Sequence, residues 1–360
     1  MTQTIIQEQK TNLSRNKMTL DRVKYYRHLF GGALECIQSR FSKTPKPLCF
    51  SLMVTSKCNC NCDFCFWKHN KENDDMSTAE IQRLLREAGQ LGYMDSILWG
   101  GEPLLRQDFT EICKTSHDAG LYTKMATNGY FLETNPEFGK YTDLMFVSLD
   151  AVGKVHDDIR HMPGICDKVM SGVEYHKIHS PNMRIYVCCT VSAATDFEQI
   201  KEVAQYCKDA DILLYFTVNK SNQALNEAQN VKELELESDQ LAEIFVKIRE
   251  LKKQGYPIRN SFYFMDYIID KKSYYECHWP RIATVIYSNG NMLRCYDRKP
   301  FISVKDRPLK EVLKDPLFIN TVNECKDCKL SCVGNYALDA SGLWKLEWPA
   351  IKSLMEIAIT

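Results

Sequence analysis

Four cysteines fall within eight residues, Cys58-Asn-Cys60-Asn-Cys62-Asp-Phe64-Cys65, directly after the apolar run Cys49-Phe-Ser-Leu-Met-Val-Thr55. Cys58, Cys62 and Cys65 stand at the spacing Cys-x3-Cys-x2-Cys. Three thiolates this close on one loop can hold three irons of a cubane [4Fe-4S] cluster and leave the fourth iron open to a further ligand. An open iron predicts chemistry at the metal. Structural zinc favours two Cys-x2-Cys pairs closing a tetrahedron, whereas the first gap here is three residues. A disulfide framework is another use for 16 cysteines in 360 residues. The start, Met1 to Lys10, is polar and lacks the apolar stretch of a secretion signal, so reduced thiols in the cytoplasm are expected.

With the aromatic Phe64 just before its third cysteine, the motif resembles the signature of the radical S-adenosylmethionine (SAM) superfamily. The resemblance implies that SAM binds the open iron through its amino and carboxylate groups. An electron from the cluster then splits it into methionine and a 5'-deoxyadenosyl radical, which takes a hydrogen from an unreactive C–H bond. It further implies Cys58, Cys62 and Cys65 as ligands of the catalytic cluster, Phe64 against the adenine, and a low-potential donor such as flavodoxin or ferredoxin.

A second motif, Trp99-Gly-Gly-Glu-Pro103, ends the next strand-like run. Glycines let backbone approach a ligand closely, although Gly and Pro clusters also mark ordinary turns. In the family this motif contacts the SAM amino group, which implies that role for Gly100, Gly101, Glu102 and Pro103. Farther on, Phe146-Val-Ser-Leu-Asp150 places Ser148 and Asp150 on one face by strand alternation, and a hydroxyl beside a carboxylate suits a ribose or methionyl group. The sequence resembles the family's SAM ribose and carboxylate site, and it is followed by His156-Asp-Asp-Ile-Arg160, often seen in members with extra clusters. Ser148, Asp150 and Arg160 are therefore expected near SAM. An Asp ending a strand serves equally as a helix cap or turn residue. Thr127-Asn-Gly129 either lines the same pocket or only forms a turn.

The elements that must position these residues alternate. Strands are expected at 49–55, 94–99, 122–127, 143–149, 184–191 and 212–218, with helices between them, the first over Thr78 to Leu91 behind a Ser77/Glu80 capping box. Six βα units predict an α/β fold with a parallel sheet and its chemistry at the carboxyl ends of the strands. The partial (β/α)6 barrel of the resembled family has the same order. Cys188 and Cys189 sit side by side on one strand, so one of them must face the barrel interior, where a small apolar residue is ordinary core.

The last third holds another metal-like pattern: Cys277 and Cys295 bracket a hairpin turn Tyr287-Ser-Asn-Gly290, and Cys325-Lys-Asp-Cys328-Lys-Leu-Ser-Cys332 follows. It resembles the twitch domain, a shortened SPASM extension that holds one auxiliary [4Fe-4S] cluster. Cys277, Cys295, Cys325 and Cys328 match best and Cys332 can replace one of them; a structural zinc uses the same thiolates. The tail also resembles, more faintly, the hopanoid-pathway enzyme that joins an adenosyl group to a lipid. The expected division is a basic amphipathic segment at 1–46, the barrel at 47–260, the auxiliary-cluster domain at 261–342 and a tail at 343–360.

With 46 basic and 46 acidic residues and no apolar run of membrane-spanning length, the composition points to no nucleic-acid partner and no spanning segment. From Lys10 to Lys46, however, nine Lys or Arg face only Asp21 and Glu35. Leu20, Val23, Phe30, Leu34, Ile37 and Phe41 recur there at helical spacing, with a break expected at Gly31-Gly32. Such a helix either packs across the open barrel or rests on an anionic membrane and delivers a lipid-like substrate. Three functions fit: oxidation or rearrangement of a small or lipid-like molecule, modification of a ribosomally made peptide, or non-catalytic iron-sulfur electron transfer. The roughly 45 residues before the first strand are short for a peptide-binding domain, and an electron carrier has no use for a Gly-Gly-Glu-Pro turn.

Overall fold

All six apolar runs form strands within one residue of the expected ends: β1 (Cys49–Thr55), β2 (Asp95–Gly100), β3 (Tyr122–Thr127), β4 (Leu144–Ser148), β5 (Arg184–Val191) and β6 (Leu213–Val218). The computed structural model describes residues 25–42, 44–65, 74–219, 232–272, 276–295, 300–324 and 335–359. The six strands pair in parallel and in chain order. Beyond them, β7 (Ala283–Ile286) joins the other side of β1 in parallel, and β8 (Asn291–Leu293) and β9 (Ile302–Ser303) follow antiparallel. One nine-stranded sheet results, ordered β6-β5-β4-β3-β2-β1-β7-β8-β9. This is the α/β partial barrel, with the hairpin of the last third hydrogen-bonded directly onto its first strand.

Strand alternation sorts side chains between two layers. On the outer face Phe50, Leu52 and Val54 are fully buried against Ile81, Leu84 and Leu85 of α2 (Thr78–Gln90). On the inner face Tyr122, Phe146, Tyr186 and Tyr215 form a separate cluster. Cys188 packs with this inner cluster and Cys189 with the outer core, so the adjacent pair divides between the layers. The Ser77/Glu80 capping box forms as expected: the Ser77 hydroxyl accepts the Glu80 N–H, and the Glu80 carboxylate accepts the Ser77 N–H at 2.7 Å.

Helix α1 covers residues 25–39 and runs straight through Gly31 and Gly32, where a break was expected. The absence of a side chain has a packing reason instead, since a Cβ on Gly31 would come within 3.0 Å of Met94 Cε. The buried face also differs from the expected one. Tyr25, Ala33 and Cys36 point inward, whereas Phe30, Leu34 and Phe41 are 44%, 56% and 79% exposed. Leu20 and Val23 lie outside the described residues. Part of the expected tail is helical: Trp348–Ile359 packs back through Ala350 against Ala33 and Leu343. Among the described residues no helix is long and apolar enough to cross a membrane.

Candidate active site

The cysteine loop leaves the carboxyl end of β1, where parallel sheets gather their chemistry. Asp75 fixes this exit by accepting the Thr55 hydroxyl at 2.6 Å and the Ser56 N–H at 2.9 Å. The loop then turns tightly, with the Cys65 N–H donating to the Cys62 carbonyl. Cys58 is exposed, Cys65 half-buried and Cys62 buried. Cys60 interacts with Cys58 and Cys62, its N–H reaching the Cys58 sulfur at 3.4 Å. Hydrogen bonds from Cys60 pull the Cys58 thiol below its ordinary range and Cys62 down to about 6, the latter helped by the Arg160 charge; the same bonds push Cys60 up. Both downward shifts run toward the thiolate, the form that binds metal, at two of the three motif positions.

Gly100 and Gly101 serve a close backbone approach. A Cβ on Gly100 would stand 2.4 Å from the Thr55 carbonyl oxygen, and one on Gly101 2.2 Å from that of Lys57. The end of β2 therefore lies directly on the cysteine loop, with the Gly101 N–H donating to Thr55 and the Glu102 N–H to Lys57. Glu102 is fully buried, and its carboxylate accepts the N–H groups of Leu104 and Asn128 and the Thr127 hydroxyl. Burial outweighs these donors and pushes the carboxyl up to about 7. Its side chain ties the ends of β2 and β3 together, a role that the local motif did not announce. Pro103 opens the short turn that follows, Pro103–Leu105.

From the end of β3, Asn128 spans to the loop: its Nδ2 donates to Asn59 Oδ1 at 2.8 Å and stands 3.9 Å from the Cys58 sulfur. The Thr127-Asn-Gly129 turn, with Gly129 at φ +85°, thus also braces the cysteines. Opposite it, α4 (Lys154–Arg160) delivers Arg160. The buried guanidinium donates through Nε and Nη2 to Asp150 Oδ2 at 2.8 and 2.7 Å, and its Nη1 stands 3.8 Å from the Cys62 sulfur. The Phe64 ring lies under the same guanidinium, 5.2 Å from its carbon. Asp150 is completed by the Thr190 N–H on its other oxygen. The structure therefore brings Phe64, Asp150 and Arg160 together on the cysteine loop, with the two charges paired to each other. Ser148 stands at the end of β4, opposite Cys188 of β5.

Sequence reasoning passed over Asp75 and Arg106. Arg106 Nη1 donates to the carbonyls of Val54 and Met76 at 3.0 and 3.1 Å, while the rest of its guanidinium pairs with Asp108. Both residues clamp the exit of β1. Single charged residues in connecting segments have no period or spacing by which they could have been found.

Cys277 precedes β7, and Cys295 stands two residues past β8. Register locates them: Cys49 opposes Ala283, and Leu293 opposes Val285. Both cysteines lie at the amino end of the sheet, about 20 Å along the strands from the Cys58 loop at roughly 3.3 Å per residue. A cavity of about 340 Å³ opens at that end, its wall formed by Leu29, Phe146, Trp279 and Leu343 together with Cys277 and Cys295. Cys325, Cys328 and Cys332 lie outside the described residues. At the other end the donor set fits an open cubane, with three thiols on one loop and the N–H groups of Asn128 and Arg160 facing two of them.

The family profile described as the Radical SAM superfamily matches residues 52–232. The AdoMet-dependent heme synthase of Methanosarcina barkeri is 29% identical over 180 residues, 48% of this chain and 50% of the relative, so the chain spans about half of that protein's length. The sporulation killing factor maturation protein SkfB of Bacillus subtilis is 20% identical over 313 residues, 82% of this chain and 72% of the relative. Streptococcus suis SuiB, solved bound to S-adenosylmethionine, shares the fold with a TM-score of 0.62 at 17% identity, over 85% of this chain and 76% of that one.

Proposed function

The chain belongs to the radical SAM superfamily, enzymes that bind a [4Fe-4S] cluster and SAM, and from that premise we propose that it abstracts hydrogen from a small-molecule or lipid-like substrate with the help of one auxiliary [4Fe-4S] cluster. The observation that carries this reading is the Cys58 loop, braced by Asn128 and Arg160, at the carboxyl end of the parallel sheet. When bound, the cluster and SAM supply a 5'-deoxyadenosyl radical. The chain's part is to hold and orient. Cys58, Cys62 and Cys65 hold the catalytic cluster, the Gly100–Pro103 turn and Ser148 receive SAM, and Phe64 lies by the adenine. Cys277, Cys295, Cys325 and Cys328, with Cys332 able to replace one of them, hold the auxiliary cluster in a unit spanning 261–342. The doubly apolar, basic-flanked α1 supports delivery of the substrate from an anionic membrane surface in the cytoplasm, with flavodoxin or ferredoxin as electron donor.

A second reading is modification of a ribosomally made peptide. It is supported by the likeness to SkfB, named as a maturation protein, and to SuiB, also solved bound to its precursor peptide SuiA. One experiment separates the two. The chain, reconstituted without oxygen, is given SAM, a low-potential reductant and either the lipid-soluble or the peptide fraction of cells grown in deuterium oxide. Deuterium appearing in 5'-deoxyadenosine from the lipid-soluble fraction supports the first reading, and label from the peptide fraction alone supports the second. Failure to form 5'-deoxyadenosine under any condition would defeat both.

A further inference from the structure

The carboxyl end of α4 is fastened to the cysteine loop on both sides of Cys62. The Arg160 carbonyl accepts the Asn61 N–H, the Ile159 carbonyl accepts the Asp63 N–H, and His161, which ends the helix at φ +49°, pairs with Asp63 at 2.6 Å. The position of the Arg160 side chain is therefore set by its own backbone. From there the guanidinium divides its donors between Asp150 Oδ2 and the Cys62 sulfur, with Arg160 only 7% and Asp150 0% exposed. The carboxylate takes Nε and Nη2, and the sulfur faces Nη1. Cys62 accordingly meets an N–H donor and a positive charge at short range in a site with little water to screen them.

We propose that Arg160 raises the reduction potential of the open-iron cluster through the Cys62 sulfur, and that Asp150 holds the guanidinium in place and moderates its charge. The proposal rests on the reading of Cys58, Cys62 and Cys65 as cluster ligands. Its physical basis is general. Reduction adds one negative charge to the cluster, and hydrogen bonds or cations at a ligand sulfur stabilise the more negative form. Arg160 is on this argument a positioning and electrostatic residue, acting through Cys62.

The test is an anaerobic redox titration of the fully reconstituted chain, followed by electron paramagnetic resonance. The signal to follow is the one that changes when SAM is added, which marks the cluster with the open iron. Arg160→Gln, which keeps a donor and removes the charge, is expected to shift its midpoint to more negative potential. Arg160→Lys should remain near the unaltered chain. Asp150→Asn, which removes the opposing charge and sets an NH₂ group against the Thr190 N–H while its oxygen still accepts from Arg160, should shift it the other way. A purely structural Arg160 does not produce shifts of opposite sign. Midpoints unchanged in both charge-altering variants, or moved in the same direction, overturn the proposal. If Arg160→Gln fails to hold iron, Asp150→Asn decides alone: a rise supports the proposal and any other result overturns it. An unaltered chain with no SAM-responsive signal would instead overturn the ligand reading on which the proposal stands.

Discussion

Cys58, Cys62 and Cys65 share their loop with Cys60, and the thiol that the motif spacing leaves out is the one whose hydrogen bonds lower Cys58 and Cys62. Changing Cys58, Cys62 and Cys65 together to Ala should remove about four irons and abolish 5'-deoxyadenosine formation, because these thiolates are the proposed protein ligands of that cluster. Persistent 5'-deoxyadenosine would sink the assignment, whereas Cys60→Ala should leave both iron and cleavage largely intact. Glu102 makes a second prediction at this scale. Its folded value of about 7 lies above the ordinary 4.5, so its contribution to stability is complete below pH 4.5 and is lost as pH rises through 7. Glu102→Gln puts an NH₂ group against a donor and lowers stability at pH 5.5, but it removes the titration. The pH dependence of thermal unfolding between pH 5.5 and 8 should flatten by on the order of 2 kcal/mol. A profile as steep as that of the unaltered chain would show that other groups carry it.

Two elements show how contacts choose among faces that the sequence leaves equivalent. Helix α1 carries apolar residues on two sides, so its periodicity predicted a helix without deciding which side would be buried. The barrel takes Tyr25, Ala33 and Cys36, and this leaves Tyr26, Phe30 and Leu34 outside near Arg27 and Arg40. If that outer row is a membrane face, the chain should sediment with anionic liposomes at low salt and release at high salt. Phe30→Ser with Leu34→Ser should abolish sedimentation without unfolding the protein, since both side chains are exposed. Full-length protein that stays in the supernatant at low salt would refute the idea. The end of β2 gives the converse case, a position with no slack. Gly101→Ala places a carbon within 2.2 Å of the Lys57 carbonyl oxygen, a backbone atom that can move only with the cysteine loop. SAM cleavage should fall by about a hundredfold, the order expected when a reacting group is misplaced by about 1 Å, and up to about four irons should be lost.

For the whole molecule the consequence of the sheet order is separation: the Cys58 loop and the pair Cys277 and Cys295 occupy opposite ends. Cys277→Ala or Cys325→Ala should therefore lose or destabilise the auxiliary cluster while SAM cleavage continues, and product formation should fall much further than cleavage. Zinc without residual iron in the Cys58, Cys62 and Cys65 triple variant would make the second site structural metal instead. The six parallel strands, the capping box and the hairpin turn at Gly290 were all legible because each depends on neighbouring residues: alternation every two positions, a pair three apart, a glycine at φ +82°. The cysteine spacing was legible for the same reason, as a property of eight consecutive residues. What the chain could not announce locally were the contacts that close it. Glu102 finds Asn128 across 26 residues and Arg160 finds Cys62 across 98, while β7 adds to β1 from the far end of the sequence. Nothing near these residues specifies their partners. The partners follow only when the strands lie side by side in one register, and burial at the carboxyl ends then requires each polar group to be satisfied by the neighbours that this register supplies.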